Sequence, residues 1–530
     1  MIAAARQQAP ETGARPSSAR ATTSALLFLA VLTLLRLWYA ARTGLAEDES
    51  YYWQWSRHLA LSYYDQGPGI AYLIRLGTLV LGDTPLGVRL VPILLGAGTG
   101  WFVFLSVRRW YGDGAALWTL GLLNIAPLLV VGGIIATYDG PQVFFWAAAL
   151  YTLTRTVQEG RTGGWYLVGL LVGLGSLVKL TMLLFAPCVL LFLLLSPAHR
   201  RWLATPHPYL AFLLALALFS PVVVWNAQHE WMGFLHTFTL GNRTRDAKPL
   251  RWFGDFLGGQ ALALSPFVFL AELWVLRRPA PPAADKEGAG GEPGPPGGAA
   301  FLWAFGAPIL ILCMLLALRS KLEINWPAPT HLMGLAAVAV AWAAAWRSGR
   351  TAARAGIVGA LVLSGVMTLV ILFPALPSAV GVPLSAETAK KANQVYGWPE
   401  IARGVQAARE SLAREGKPVF VSGVNYRVNS ILAFYLPGQP RTQPLYLNSR
   451  RDQYWVWTDP RALVGQNAVF ALDDVNADAV ALARRYFASV EPQAPIVVRR
   501  PGFREPVKTW YIYKCRDFKG YDPLAHLAGY

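Results

Sequence analysis

Residues 24–68 read SALLFLAVLTLLRLWYAARTGLAEDESYYWQWSRHLALSYYDQGP. The stretch opens with an apolar run long enough to cross a bilayer, which takes roughly 20 such residues. It then passes directly into three successive carboxylates, Glu47, Asp48 and Glu49. Aromatic and charged residues alternate after that through Trp53, Trp55, Arg57, Tyr63, Tyr64 and Asp65 to Gly67 and Pro68. Such alternation suits helices lying along the interface, with amphipathic rings at the headgroup level. A span followed by an acid-bearing interfacial layer describes a membrane protein with polar work at one face.

The rest of the chain agrees. Of its 530 residues 54% are hydrophobic and 15% charged, and the mean hydropathy of +0.36 is hard to reconcile with a soluble protein of this size. The 21 Trp and 21 Tyr fit two interfacial belts. Three cysteines, Cys188, Cys313 and Cys515, give neither a disulfide framework nor a Cys-based zinc site. The net charge of +17 sits in small groups between apolar runs, so loop topology accounts for it and nucleic acid is not an expected partner.

About eleven candidate spans begin at Ser24, Leu86, Gly114, Pro141, Gly164, Met182, Pro208, Phe256, Ala300, Ala328 and Gly356. Residues 1–23 read as a cytoplasmic tail and the first span as an anchor rather than a cleaved signal. The segment 69–81 is short and carries Arg75, which places it at the interface or as an extension of the next span. With the amino terminus in the cytoplasm, Arg108-Arg109, Arg155, Arg161, Arg200-Arg201, Arg277-Arg278, Arg347, Arg350 and Arg354 all fall in cytoplasmic loops. The same parity puts the loop 43–85, Asp139, Lys179, the loops 225–251 and 319–326, and the tail 376–530 outside. The expected fold is mainly α: a polytopic membrane domain over 24–375, a Pro- and Gly-rich cytoplasmic linker at 279–298, and a carboxy-terminal soluble α/β domain. In that tail, 398–415 and 477–490 have helical periodicity, while 418–422, 468–472, 496–499 and 509–513 look like strands.

Adjacent carboxylates suppress one another's ionisation, which is costly unless a cation or a proton transfer uses them; a solvated acidic loop is the plain alternative. Asp139 would cost roughly 2.5 to 3.5 kcal/mol at mid-bilayer, so it sits at the surface or lines a wet cavity. It equally suits the N-cap of the span beginning at Pro141. Lys179 is either a snorkelling lysine or the counter-charge of a carboxylate or phosphate. Arg319 and Lys321 share one outer turn with Glu323 and Asn325, fit for an anionic ligand or an internal salt bridge. The outer loop 225–251 holds His229, Glu230, His236, Arg243, Arg245, Lys248 and Arg251. On one helix the two histidines would share a face, yet without further ligands a basic loop facing phosphate is the better expectation than a metal site.

In order, Asp48-Glu49 with Tyr51-Tyr52-Trp53, then Tyr64-Asp65-Gln66-Gly67-Pro68, then Asp139 ahead of Phe144-Phe145-Trp146-Ala147, resemble the polyprenyl-phosphate-sugar transferases of the GT-C fold. More narrowly they resemble glycosyltransferase family 39, with its protein mannosyltransferases, and the bacterial aminoarabinose and galacturonosyl lipid A transferases. The similarity continues through 175–179, 225–229 and 321–329. It implies Asp48 as catalytic base, Glu49 beside it and Asp139 as second acid. It further implies a polyprenyl-phosphate-linked sugar as donor, a membrane lipid, glycan or protein as acceptor, inversion at the anomeric carbon, and a site on the extracytoplasmic face of the plasma membrane. Such a transfer needs a base for the acceptor proton and cations for the departing phosphate. Lys179, Arg57, Arg75, Arg89 and Lys321 are candidates for the phosphate, and Tyr51, Tyr64, Asp65, Gln66, Glu323 and Asn325 for substrate contact. No cofactor is required, although the carboxylates are compatible with Mg²⁺ or Mn²⁺.

One departure bears on the donor. The aminoarabinose branch has acid, Lys, Pro where this chain has Asp65-Gln66-Gly67-Pro68, so the lysine expected at the donor phosphate is absent. The rival class, a transporter or flippase of lipid-linked sugars, calls for ionisable residues near the middle of several spans and for broken helices in paired halves. The sequence displays neither pattern.

Overall fold

A computed structural model describes residues 16–240, 248–277, 295–382, 384–445, 451–503 and 505–520. Residues 1–15 of the expected tail, 279–294 of the expected linker, and Arg243 and Arg245 lie outside them. From Pro16 to Leu372 the described chain is helical. The helices are α1 (Pro16–Arg42), α2 (Glu47–Arg57), α3 (Gly69–Leu81), α4 (Pro85–Leu123), α5 (Pro127–Gly132), α6 (Asp139–Glu159), α7 (Gly163–Val178) and α8 (Phe185–Leu195). They continue with α9 (His207–Gln228), α10 (Met232–Leu240), α11 (Pro249–Leu264), α12 (Pro266–Leu276), α13 (Gly298–Gly306), α14 (Pro308–Ala317), α15 (His331–Arg347) and α16 (Thr351–Leu372).

Among the described residues five helical stretches are long and apolar enough to cross a membrane: 19–42, 85–123, 207–228, 298–317 and 351–372. The pair α11 and α12, bent by 107° where Ser265 takes a φ of 76°, makes a sixth if the two helices count as one span. The expected spans at Gly164, Met182 and Ala328 correspond to shorter apolar helices of 10–17 residues, and segment 69–81 is a helix of the same kind. Those at Leu86 and Gly114 lie in a single 39-residue run whose helical geometry breaks at Gly112, with φ 82°. A glycine takes that left-handed angle at no steric cost. Leu27, Leu34, Val80, Leu213, Leu270 and Val362 are exposed on the outside of the bundle, a surface that suits lipid and would be unfavourable in water. Inside, Trp146, Phe185, Phe192 and Phe305 form a buried aromatic centre, with Trp146 edge-on to Phe185 at 5.0 Å.

The sequence displays no pattern of ionisable residues near the middle of several spans, yet the structure buries ionisable groups in the apolar helices. Arg36 lies buried on α1. Glu272 of α12 meets His331 of α15 at 3.0 Å, and His331 Nε2 lies 3.0 Å from Gln260 Oε1 of α11, all three fully buried. One acid per apolar helix barely lowers its hydropathy, which is why the pattern escapes a reading by composition.

The tail carries a mixed sheet of β1 (Val419–Gly423), β2 (Asn467–Leu472), β3 (Phe487–Pro492), β4 (Ile496–Val498) and β5 (Lys508–Phe518). β1 and β2 are parallel, β2 pairs antiparallel with β5, and β3 and β4 share the other edge of β5. Helices 398–413 and 426–435 cover one face through Trp398, Ile401, Val405, Ile431 and Leu432. The expected helix 477–490 stops at Tyr486, because Phe487 turns inward and the chain pairs with β5. The tail also reaches the start of α2: Leu45 N–H donates to the Tyr435 hydroxyl at 2.8 Å, and Trp398 Nε1 donates to Leu45 O at 2.9 Å.

Candidate active site

Helix α2 begins on its three carboxylates, where the helix dipole favours negative charge. Glu49 reaches back to accept the Ala46 N–H at 2.8 Å, the acid half of a capping box. Its Oε1 also accepts Arg89 Nε at 2.6 Å and the Ala136 N–H at 2.8 Å. Arg89 in turn donates to Thr43 O at 3.1 Å, Thr43 Oγ1 at 2.9 Å and Gly44 O at 2.7 Å. Both side chains are buried, and together they clamp the end of α1, the start of α2, α4 and the turn ahead of α6. In this geometry the hydrogen bonds of Glu49 and Arg89 run to each other, to backbone and to Thr43.

Asp48, one position earlier, is half-exposed. Its Oδ1 accepts the Tyr426 hydroxyl at 3.2 Å. Arg427 lies 4.0 Å from Glu47, and although burial works against its charge, Tyr426, Asp48 and Glu47 outweigh that and hold its pKa above the usual value. Burial raises the Glu47 carboxyl more than Arg427 lowers it. Tyr52 packs against Tyr138 at 5.5 Å and so joins α2 to the start of α6. There Lys179 Nζ donates to Asp139 Oδ1 at 2.7 Å and Asn325 Nδ2 to Oδ2 at 2.7 Å. Lys179 is therefore the counter-charge of a carboxylate. Asp139 lines a groove together with Thr137, Asn325 and the apolar side chains of Leu128, Val131 and Leu332.

A further acid, Asp65, completes the layer. Asp65 accepts the Tyr51 hydroxyl at 2.7 Å and lies 3.5 Å from His236 Nε2. Tyr51 itself accepts the Gln453 N–H at 2.7 Å, and Gln453 Oε1 accepts the Tyr64 N–H at 2.7 Å. Burial keeps the phenols of Tyr51 and Tyr52 well above their ordinary pKa, so both remain hydrogen-bond donors. Gln66 contributes its carbonyl to Tyr63 N–H at 3.1 Å. Gly67 lets this loop lie on the end of α7, where a Cβ would fall 2.2 Å from Leu177 O.

Other expected ligands are not gathered in. Arg57 lies over the Trp53 ring at 4.8 Å and donates to Gln439 O at 2.9 Å. Arg75 is half-buried on α3, and Lys321 and Glu323 are exposed; none of the three makes an ion pair among the described residues. His229 and His236 do not share a helix face. Positive φ at Glu230 and Trp231 breaks the helix between them, His229 stacks on Trp225 at 4.1 Å, and His236 turns to Asp65. No group of three or more His, Cys, Asp or Glu able to hold a metal occurs among the described residues. Tyr426, Arg427 and Gln453 are site residues that the sequence did not disclose. The usable signal was Asn425, whose side chain caps the helix carrying the first two by accepting from the N–H groups of Arg427 and Val428.

Residues 65–225 match the family model of dolichyl-phosphate-mannose-protein mannosyltransferases. The chain is 27% identical to the lipid A galacturonosyltransferase RgtD of Rhizobium johnstonii, over 54% of this chain and 58% of the relative. It is 26% identical to the undecaprenyl phosphate-alpha-4-amino-4-deoxy-L-arabinose arabinosyl transferase 1 of Pseudomonas fluorescens, over 39% of this chain and 40% of the relative. In these alignments the chain spans less than two thirds of either relative's length. The fold is similar to that of ArnT from Cupriavidus metallidurans in the apo state, with a TM-score of 0.64 and 15% identity over 93% of this chain and 98% of the other. The same protein bound to undecaprenyl phosphate gives 0.63 at 16% identity over the same shares. Family model, sequence similarity and fold point the same way, and the chain is similar to the GT-C glycosyltransferases of family 39.

Proposed function

We propose that this protein moves a monosaccharide from a polyprenyl-phosphate carrier to a lipid, glycan or protein acceptor, with Asp48 as base and inversion at the anomeric carbon. The observation that carries the reading is the half-exposed Asp48 carboxylate, set across the Tyr52–Tyr138 contact from the Asp139–Lys179 pair, with Asp139 lining a largely apolar groove. Relatives whose names specify lipid A and undecaprenyl phosphate support the substrate classes. In the transfer, the acceptor hydroxyl gives its proton to Asp48 and its oxygen bonds to the anomeric carbon. The bond from that carbon to the phosphate oxygen breaks, and the electron pair leaves with the carrier as a phosphate monoester. Preorganised positive charge stabilises that leaving group.

We place the site, and the tail 376–530 that helps to build it, on the extracytoplasmic face of the plasma membrane, with about eleven crossings made by the long, bent and short helices together. No step is assigned to a metal ion, and Mg²⁺ or Mn²⁺ is compatible with the exposed acids. The transporter reading gains the break between α11 and α12 and the buried Glu272–His331 pair. That pair is closed by Gln260, whose Nε2 donates to Ile324 O at 2.8 Å next to Asn325, so it braces the site rather than lining a path. The test is Asp48→Asn assayed with an undecaprenyl-phosphate-linked sugar. The expected loss is about 10²- to 10⁴-fold with insertion and thermal stability retained; a variant of unchanged rate removes Asp48 as the base.

A further inference from the structure

Three cations are buried in the helical region among the described residues: Arg36, Arg89 and Lys179. Arg89 has Glu49 and Lys179 has Asp139. Arg36 makes no ion pair with a carboxylate among the described residues. It is 8% exposed, and its described hydrogen bond runs from Nη2 to the neutral Oδ1 of Asn124 at 2.9 Å. A guanidinium has five N–H donors and is costly to bury among apolar helices, so a single amide oxygen is a poor return for burying this one.

The surroundings of Arg36 are built for a flat, charged group. A Cβ on Gly133 would fall 3.3 Å from Nη1 and 3.4 Å from Cζ, and a Cβ on Gly96 would fall 3.7 Å from Nη1. Two backbones without side chains thus bracket the fork, one on α4 and one just past α5. Arg36 lines the same groove as Asp139 and Asn325. Since Lys179 neutralises Asp139, the groove keeps one positive charge in excess. The other walls are largely apolar, with Leu123, Leu129, Val131 and Leu332 among them. Arg36 precedes the end of α1 at Arg42 by six residues, which at 1.5 Å per residue puts it about 9 Å along the helix from the acidic layer.

We propose that Arg36 receives the phosphate of the carrier lipid, its fork taking two phosphate oxygens while the hydrocarbon chain fills the apolar length of the groove. The planar guanidinium suits paired phosphate oxygens, and its pairing is strongest where water is excluded. Arg36 thereby supplies the positive charge that Gln66 does not. The inference rests on the transferase reading for the identity of the lipid, and its test reads binding alone.

The full chain in detergent is titrated with undecaprenyl phosphate, with uncharged undecaprenol and with inorganic phosphate. The first is expected to bind at least about tenfold more tightly than either of the others, because charge and chain are both recognised. Arg36→Gln and Asn124→Asp are each expected to weaken undecaprenyl phosphate about tenfold or more. Asn124→Asp keeps the arginine in place and occupies it with a carboxylate, so a merely structural staple between α1 and α4 would leave binding unchanged. Wild-type affinity in Asn124→Asp, or equal binding of undecaprenol, overturns the proposal. Inorganic phosphate binding as tightly as the lipid overturns the assignment to a lipid headgroup. Asp48→Asn retaining full transfer would sink the mechanism above while leaving this binding result to stand.

Discussion

Asp48 and Glu49 are neighbours in sequence and opposites in environment. Consecutive side chains on a helix point about 100° apart, so one faces the site and the other the interior. Glu49→Gln would leave Arg89 buried against a neutral amide, and breaking such a pair costs about 3 to 5 kcal/mol. The expected result is a lower thermal unfolding midpoint in detergent. Normal stability with a collapsed transfer rate would instead assign Glu49 to the chemistry. The acidic cluster was legible as a site from charge crowding alone, but which acid is half-exposed and which is buried in an ion pair was not. That depends on Arg89, forty positions away and on another helix. Lys179 and Asp139 were legible singly, as charges in the wrong medium, whereas their pairing needed the fold. Arg36 was hidden because one arginine in a leucine-rich run reads as a tolerated exception.

At the level of elements, the turn before α15 is held from below. Gln260 of α11 grips Ile324 O, His331 of α15 grips Gln260, and Asn325 is thereby presented to Asp139. Gln260→Ala would leave a buried His331 nitrogen without its acceptor, costing about 1 to 3 kcal/mol, and would loosen Asn325. Transfer is expected to fall about tenfold in kcat with KM nearly unchanged, since a misplaced acid harms the transition state more than binding. A rise in KM alone would point to ground-state contact instead. Hydropathy located these helices, because an apolar run of sufficient length has few other fates. It did not reveal the bend at Ser265, which comes from one backbone angle, nor β3, since the four residues Phe487 to Val490 fit either period.

Across the whole molecule, Lys508 of β5 lies in the tail beneath the Trp398 ring, 3.0 Å from its centroid, and donates to Gln394 O at 2.7 Å. Burial pushes it from 10.5 down to about 7, with Glu47 and Asp473 opposing in part. Between those two values the unfolded chain holds more protons than the folded one, so stability should rise as pH increases from about 7 to about 10.5 and stay level below that window. Unfolding midpoints measured across the window should show this slope, and Lys508→Met should flatten it. A midpoint independent of pH in the parent protein would mean that Trp398 keeps the ammonium charged. The tail's α/β character was readable from its alternating runs. Its part in the site was not, because nothing local marks Tyr426 or Gln453 as bound for a loop nearly four hundred residues earlier.

That long reach sets an order of events during synthesis. When the ribosome has made every helix up to α16, the carboxylates and the groove already exist in the bilayer, yet Asp48 still lacks the Tyr426 phenol and Tyr51 the Gln453 amide. The nascent protein is then a set of acids without their lid, and the reactive layer closes only after translation has passed position 453. On the transferase reading, chains interrupted before that point are expected to be inactive.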